Sequence, residues 1–129
     1  MKRVLAVVVC VALLAGCGDD DSDSPEQDIA VVVAQLQQAA RDGDGAKICK
    51  DLFTDNLAIS VKKASKQECA AEVAENVASD DAEFKLEDLK VNGDAATGQI
   101  LDQRGERSAV LFQRESGSWR IGRIAGVGS

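Results

Sequence analysis

Residues 65–101 read SKQECAAEVAENVASDDAEFKLEDLKVNGDAATGQIL, and the hydrophobic period changes inside this stretch. Up to Asp80-Asp81, the apolar residues Cys69, Val73 and Val77 recur every four positions, the spacing of one helical face. Ser65-Lys66-Gln67-Glu68 stands ahead of them as a capping box, so a helix is expected to open there. Beyond the two aspartates, Phe84, Leu86, Leu89 and Val91 follow a period of two, with a phase change near Glu87-Asp88 that predicts a bulge. Asn92-Gly93-Asp94 has the composition of a hairpin turn, and a second strand is expected from Ala95 to Gln103.

Both patterns extend outward from this switch. Towards the C-terminus, Arg104-Gly105-Glu106 turns into a third strand from Arg107 to Arg114. Val110 and Phe112 lie on one face of that strand, with Ala109, Leu111 and Gln113 on the other. Glu115-Ser116-Gly117-Ser118 turns again into a fourth strand from Trp119 to Ile124. Towards the N-terminus the pattern is helical. Ser24 caps, Pro25 suits the first helical position, and Ile29, Val32, Val33, Leu36, Ala39 and Ala40 share a face that ends at Asp42-Gly43. Asp44 can cap a shorter helix with Ala46, Cys49, Leu52 and Phe53 inward, and Thr54 to Lys63 carries a weaker turn of helix through Leu57 and Val61. Gly45, Gly98, Gly105 and Gly117 read as turn or bulge positions. Helices followed by a meander predict an α+β domain, with three to four N-terminal helices packed on a curved four-stranded antiparallel sheet.

The first residues carry an address rather than fold. Lys2 and Arg3 precede an apolar run of 12 residues, Val4 to Ala15, too short to span a bilayer. Leu14-Ala15-Gly16-Cys17 follows, and resembles the lipobox of bacterial lipoproteins: an apolar residue, two small residues, then the thiol that is acylated. The resemblance implies cleavage before Cys17, with Cys10 lost, and a lipid on Cys17 that holds the chain to the extracytoplasmic face of the cell membrane. Residues 18–24 carry four aspartates and nothing apolar, so residues 17–24 are expected to be a solvated tether. Its Asp-x-Asp pattern lacks the loop glycine and distal glutamate of a calcium loop. The folded domain is then expected over 25–125, with 126–129 frayed.

Without residues 1–16, 13 Lys and Arg face 22 Asp and Glu, and only 26 large apolar side chains remain, enough for one small domain. Such an acidic chain has no basic footprint for nucleic acid. Two cysteines survive cleavage unacylated, Cys49 and Cys69, in an exported chain. One pairing is possible, and neither Cys-x-x-Cys spacing nor a histidine partner suggests a metal or redox site, so a structural disulfide between helices is expected.

Several segments together resemble the small secreted nuclear-transport-factor-2-like (SnoaL-like) proteins. These are Asp42-Gly43-Asp44-Gly45-Ala46 with Ile48-Cys49-Lys50-Asp51-Leu52, Cys69 on the next long helix, the Val91–Ala95 hairpin, and Gly117-Ser118-Trp119-Arg120-Ile121. The resemblance covers about Pro25 to Ala125. It implies a cone, a curved sheet wrapped around helices, sometimes with a pocket at the open end. Enzymes of that superfamily, such as ketosteroid isomerase, use an Asp or His base with Tyr, His or a protonated Asp polarising a carbonyl. This chain has no His and no Tyr, so no catalytic residue, cofactor or metal is expected. Asp102 is the acid to watch, because it ends a strand that would border the cone's mouth. Arg104, Arg107, Arg114, Arg120 and Arg123 make the strand-rich half mildly basic. Trp119, Arg114, Arg123 and Asp102 are therefore the candidates for ligand contact, set against a packed Trp119 and cross-strand ion pairs.

The expected function is that of a non-catalytic, membrane-anchored module contacting an envelope protein. The alternatives are a pocket for a small apolar ligand and a degenerate isomerase- or dehydratase-like enzyme. A filled cone would favour the first, an apolar cavity without buried titratable groups the second, and a deep cavity with one buried acid the third.

Overall fold

A computed structural model describes residues 24–128. The leader, the lipobox, Cys17 and the acidic tether as far as Asp23 lie outside the described residues, as does Ser129.

Helix α1 spans Pro25–Asp42. Ser24 accepts from the Gln27 N–H at its start, and Gly43 ends it in the left-handed conformation, its N–H donating to the Ala39 and Ala40 carbonyls. Ile29, Val32, Val33, Leu36, Ala39 and Ala40 are its buried stripe, as the periodicity predicts. Asp44 then caps α2, Gly45–Lys47, by accepting from the Lys47 N–H. This short helix runs into a π-helical turn over Ile48–Leu52. The wider winding changes which side faces inward: Ile48 is fully buried, whereas Ala46, expected inside, is exposed.

Helix α3 spans Asp55–Ser65, longer than the sequence pattern suggests, with Thr54 as its N-cap. Helix α4 spans Cys69–Asn76. The capping box expected at Ser65–Glu68 does not form. Ser65 is the last residue of α3, where its hydroxyl donates to the Val61 carbonyl, and Glu68 flanks α4 without a side-chain cap. A serine competes equally well for carbonyls at a helix end, and the preceding helix claims it.

Strands β1 (Lys85–Asn92), β2 (Ala95–Leu101), β3 (Arg107–Glu115) and β4 (Ser118–Ile124) form one antiparallel sheet in sequence order. Strand β2 stops at Leu101 instead of Gln103, because Asp102 folds into the next turn. The expected bulge lies between Glu87 and Lys90, with Asp88 at φ 55°. A second irregularity pairs Phe112 with Ile121 but Leu111 with Arg123, which leaves Gly122 as the extra residue. It restores Ile124 to the inner face beside Val110 and leaves Arg123 exposed on the outer one. Such bulges bend and twist the strands that carry them.

The inner face, with Ala96, Ile100, Val110, Phe112, Trp119 and Ile121, packs on α1, α3 and the π turn to make one core. Phe53 bridges to Ile121, and the Thr54 N–H donates to the Ile121 carbonyl, so the helical half is tied to edge strand β4. Cys49 and Cys69 are disulfide-bonded, with Cα atoms 6.2 Å apart. Gly45, expected at a turn, is instead where α2 touches α4: a Cβ there would run into the Ala70 carbonyl. The tail expected to fray turns back. Val127 bridges to Ile124 and packs on the core, and Gly128 sits against Val61 and Leu57.

Candidate functional site

The sheet and helices do not close at the end where α4 stops and the β2–β3 turn begins. A cavity of about 580 Å³ opens there. Its floor is apolar and comes from distant parts of the chain: Leu36 of α1, Val77, Phe84, Ile100 of β2, Ile124 of β4 and Val127 of the tail. Leu36 and Ile100 are buried members of the core, so the space lies against the core's end. The rim is polar, with Ser79 and Asp81 on one side and Asp102, Arg104 and Glu106 on the other.

The segment between α4 and β1 forms one wall, and it is fixed although it has little regular structure. The Ser79 N–H donates to the Ala40 carbonyl at 3.0 Å, and Arg41 Nε donates to the Ala82 carbonyl at 2.6 Å. The Phe84 N–H donates to Gln37 Oε1 at 2.7 Å, and the Glu83 N–H to Gln103 Oε1 at 3.2 Å. Ser79 and Asp81 bond each other through their side chains. A wall held at this many points is shaped before any ligand arrives.

Asp102 borders the cavity, as its place at a strand end predicts. Its carboxylate is turned to another task. Oδ1 accepts from the Arg104 N–H at 2.8 Å and the Glu106 N–H at 3.0 Å, while Oδ2 pairs with the Arg104 guanidinium at 3.2 Å. The Glu106 N–H, acting against partial desolvation and helped by the Arg104 N–H and guanidinium, holds the carboxyl below the ordinary aspartate pKa of 3.8. Asp102 is therefore an ionised brace of the β2–β3 turn, the opposite of a raised general base. Because the folded pKa is depressed, its contribution is present above the unfolded value and is lost as the pH falls through the folded one. Asp102→Asn keeps an oxygen for both N–H groups, so thermal melts at pH 7 should differ little from the parent. As the pH falls below about 4 the parent should lose the stability that ionised Asp102 gives the turn, a loss the variant does not show, so the small gap between them at pH 7 should close. Parallel melts from pH 2 to 7 decide it, and an equal acid slope in both proteins would refute the brace.

The other candidate contacts are scattered. Trp119 is buried on the inner face at the opposite end of the sheet, with the Arg114 guanidinium 4.8 Å from its ring centroid. Arg114 also pairs with Asp94 at 3.4 Å. Arg123 is on the outer face. Of the five arginines, Arg104 pairs with Asp102 and Glu106, Arg107 with Glu87, and Arg120 approaches Glu115 and donates to the Lys50 and Phe53 carbonyls. Four of the five are thus engaged in ion pairs, and no common anion site is assembled from them. Among the described residues no three potential ligands gather to hold a metal.

The residues that line the cavity were legible only as core. Phe84 and Ile100 carry strand periodicity, and Val127 lies in a stretch whose glycines suggest fraying. Nothing local marks them as facing open space, because a void is defined by what distant elements fail to fill.

No family model matches the chain, and no curated protein matches it. Among solved structures, a designed nuclear-transport-factor-2-like protein is similar, with 21% sequence identity and a TM-score of 0.49 over 77% of this chain and 96% of that chain. The fold itself rests on the element order and pairing above: among the described residues, an α+β domain of four α-helices on a four-stranded antiparallel sheet.

Proposed function

We propose that the domain binds a small apolar molecule in the cavity at its open end and performs no chemistry on it. One observation carries this reading: a space of about 580 Å³, within the range of small-molecule sites, walled by Leu36, Val77, Phe84, Ile100, Ile124 and Val127 beside the neutral polar Asn76, Gln103 and Ser108, with Asp81, Arg104 and Glu106 exposed at its edge. The sheet's inner face is packed into the core, and the space lies at one end of it, where a small molecule rather than a large partner surface fits. The ionised, turn-bound Asp102 speaks for binding over isomerase-like proton transfer, as does a chain without His or Tyr.

N-phenyl-1-naphthylamine, whose emission rises in apolar surroundings, serves as a neutral probe. It should bind the parent with a saturable signal, and Ser108→Trp, which fills the cavity mouth opposite Ile100, should abolish that signal without unfolding the protein. Val31→Trp, on the exposed face of α1, should leave it unchanged. Equal binding by all three proteins would defeat the assignment.

The same proposal places the domain on the extracytoplasmic face of a membrane, held by a lipid on Cys17. The support is the Leu14-Ala15-Gly16-Cys17 run after a short apolar segment. Among the described residues no helix is long and apolar enough to cross a membrane. Mass spectrometry of the mature N-terminus should find an acylated Cys17, and Cys17→Ser should release the protein from the membrane fraction or leave it uncleaved. An unmodified Cys17, or cleavage elsewhere, would refute the anchor.

A further inference from the structure

We infer that the ligand carries a neutral carbonyl group, and that the Ser108 hydroxyl holds it by donating a hydrogen bond. This rests on the cavity being a ligand site, and it follows from one residue that departs from the pattern of its strand. Along β3, Val110 and Phe112 face inward and are buried in the core. Ser108 belongs to the same row and stands opposite Ile100 of β2, and both residues line the cavity. Strand alternation asks for an apolar side chain at 108 as at the two inward positions that follow. A serine stands there instead, where the row leaves the core and reaches the cavity.

The protein gives this hydroxyl no task of its own. Arg114, the other polar residue of the row, is engaged by the Trp119 ring and by Asp94. Ser108 is half-buried, and no described residue forms a side-chain hydrogen bond with it, although the turn beside it is densely bonded through Asp102. Water meets the needs of such a hydroxyl in the free protein. A ligand that fills the space either replaces those bonds or forfeits them.

The neighbouring polar groups decide which kind of ligand atom fits. Gln103 also lines the cavity, and its Oε1 accepts from the Glu83 N–H at 3.2 Å. A backbone N–H can only donate, so that atom is the oxygen, and the Gln103 amide group is left with its N–H donors. Asn76 of α4 is oriented the other way, because its Nδ2 donates to the Glu72 carbonyl and carboxylate and its Oδ1 remains. The carboxylates of Asp102 and Glu106 are paired with Arg104. The side of the cavity built by β2, β3 and their turn thus offers a ligand the neutral donors of Ser108 and Gln103. A carbonyl oxygen, which only accepts, is the group that matches them.

The test compares propiophenone with propylbenzene, which share a skeleton and differ in one carbonyl group. Each displaces N-phenyl-1-naphthylamine from the parent, Ser108→Ala and Ser108→Thr, with melts run on every variant. Ser108→Ala should weaken propiophenone about fivefold, the worth of one neutral hydrogen bond, and leave propylbenzene unchanged or tighter. Ser108→Thr keeps the hydroxyl and should hold propiophenone near the parent's affinity. With an isotopic label on the ketone carbon, the carbonyl stretch of propiophenone bound to the parent should lie at lower frequency than when bound to Ser108→Ala, a difference that a packing role for Ser108 would not produce. Equal effects of Ser108→Ala on the two compounds, or the same stretch in both proteins, overturns this inference while the cavity reading stands. A parent protein that binds neither the probe nor either compound defeats the cavity reading and this one with it.

Discussion

Replacing both Cys49 and Cys69 by alanine should lower stability by about 2–4 kcal/mol and leave the fold in place. The bond closes a loop of 20 residues that contains all of α3. In the chain-entropy picture, closing such a loop in the unfolded chain stabilises by about 3 kcal/mol. Both ends are secured in other ways too. Cys69 is 8% exposed within the core, and the neighbouring Ile48 and Leu52 are buried beside Phe53. The reduced domain therefore retains a core to fold around, but with net stability in a domain this size only about 5–15 kcal/mol, the loss is a large share. Urea unfolding of the parent, the reduced parent and the double variant measures it. Two titratable thiols in the native, non-reduced protein, or coincident unfolding curves, would contradict the structure.

Gly45→Ala should destabilise by about 1–3 kcal/mol, where the same change in an open helix stabilises. The sign is the informative part. Gly45 lies in α2 and is buried, and an added Cβ would overlap the Ala70 carbonyl of α4. That atom is backbone, so relief requires α2 and α4 to separate. The disulfide a few residues along resists that separation. The two perturbations share one interface, so in the cysteine-free background Gly45→Ala should cost less than it does in the parent. A stabilising or neutral Gly45→Ala would show that α2 does not approach α4 this closely.

These same elements show how far the sequence could be read. Helix α1 was legible to the residue at both ends because Ser24, Pro25 and Gly43 act locally, each on groups within one turn. The four strands and the Glu87-Asp88 bulge were legible because alternation records which face is buried. The Cys49–Cys69 pair followed from elimination. Elsewhere local signals were ambiguous. Ser65 looks like an N-cap and serves the end of the preceding helix. Ala46, expected inside, is exposed and Ile48 is buried where the short helix runs into a π turn, which no local residue announces. Gly45 reads as a turn because the sequence does not show what lies opposite it. Asp102 lines the cavity from the turn after β2, and its partners, two N–H groups of that turn, depend on where β2 stops. The cavity was beyond reach for the same reason: its floor draws on α1, β2, β4 and the tail at once.

The central claim is that the open end of the sheet takes up a small apolar molecule. Methyl-resolved NMR of the labelled domain, titrated with a neutral straight-chain alcohol, tests it most directly. Saturable shifts are expected at Leu36, Val77, Ile100 and Ile124, with Val31 and Ile59 on the outer surface of the helices unmoved. Shifts that fail to saturate, or that fall on Val31 and Ile59 while the cavity methyls stay still, would contradict it.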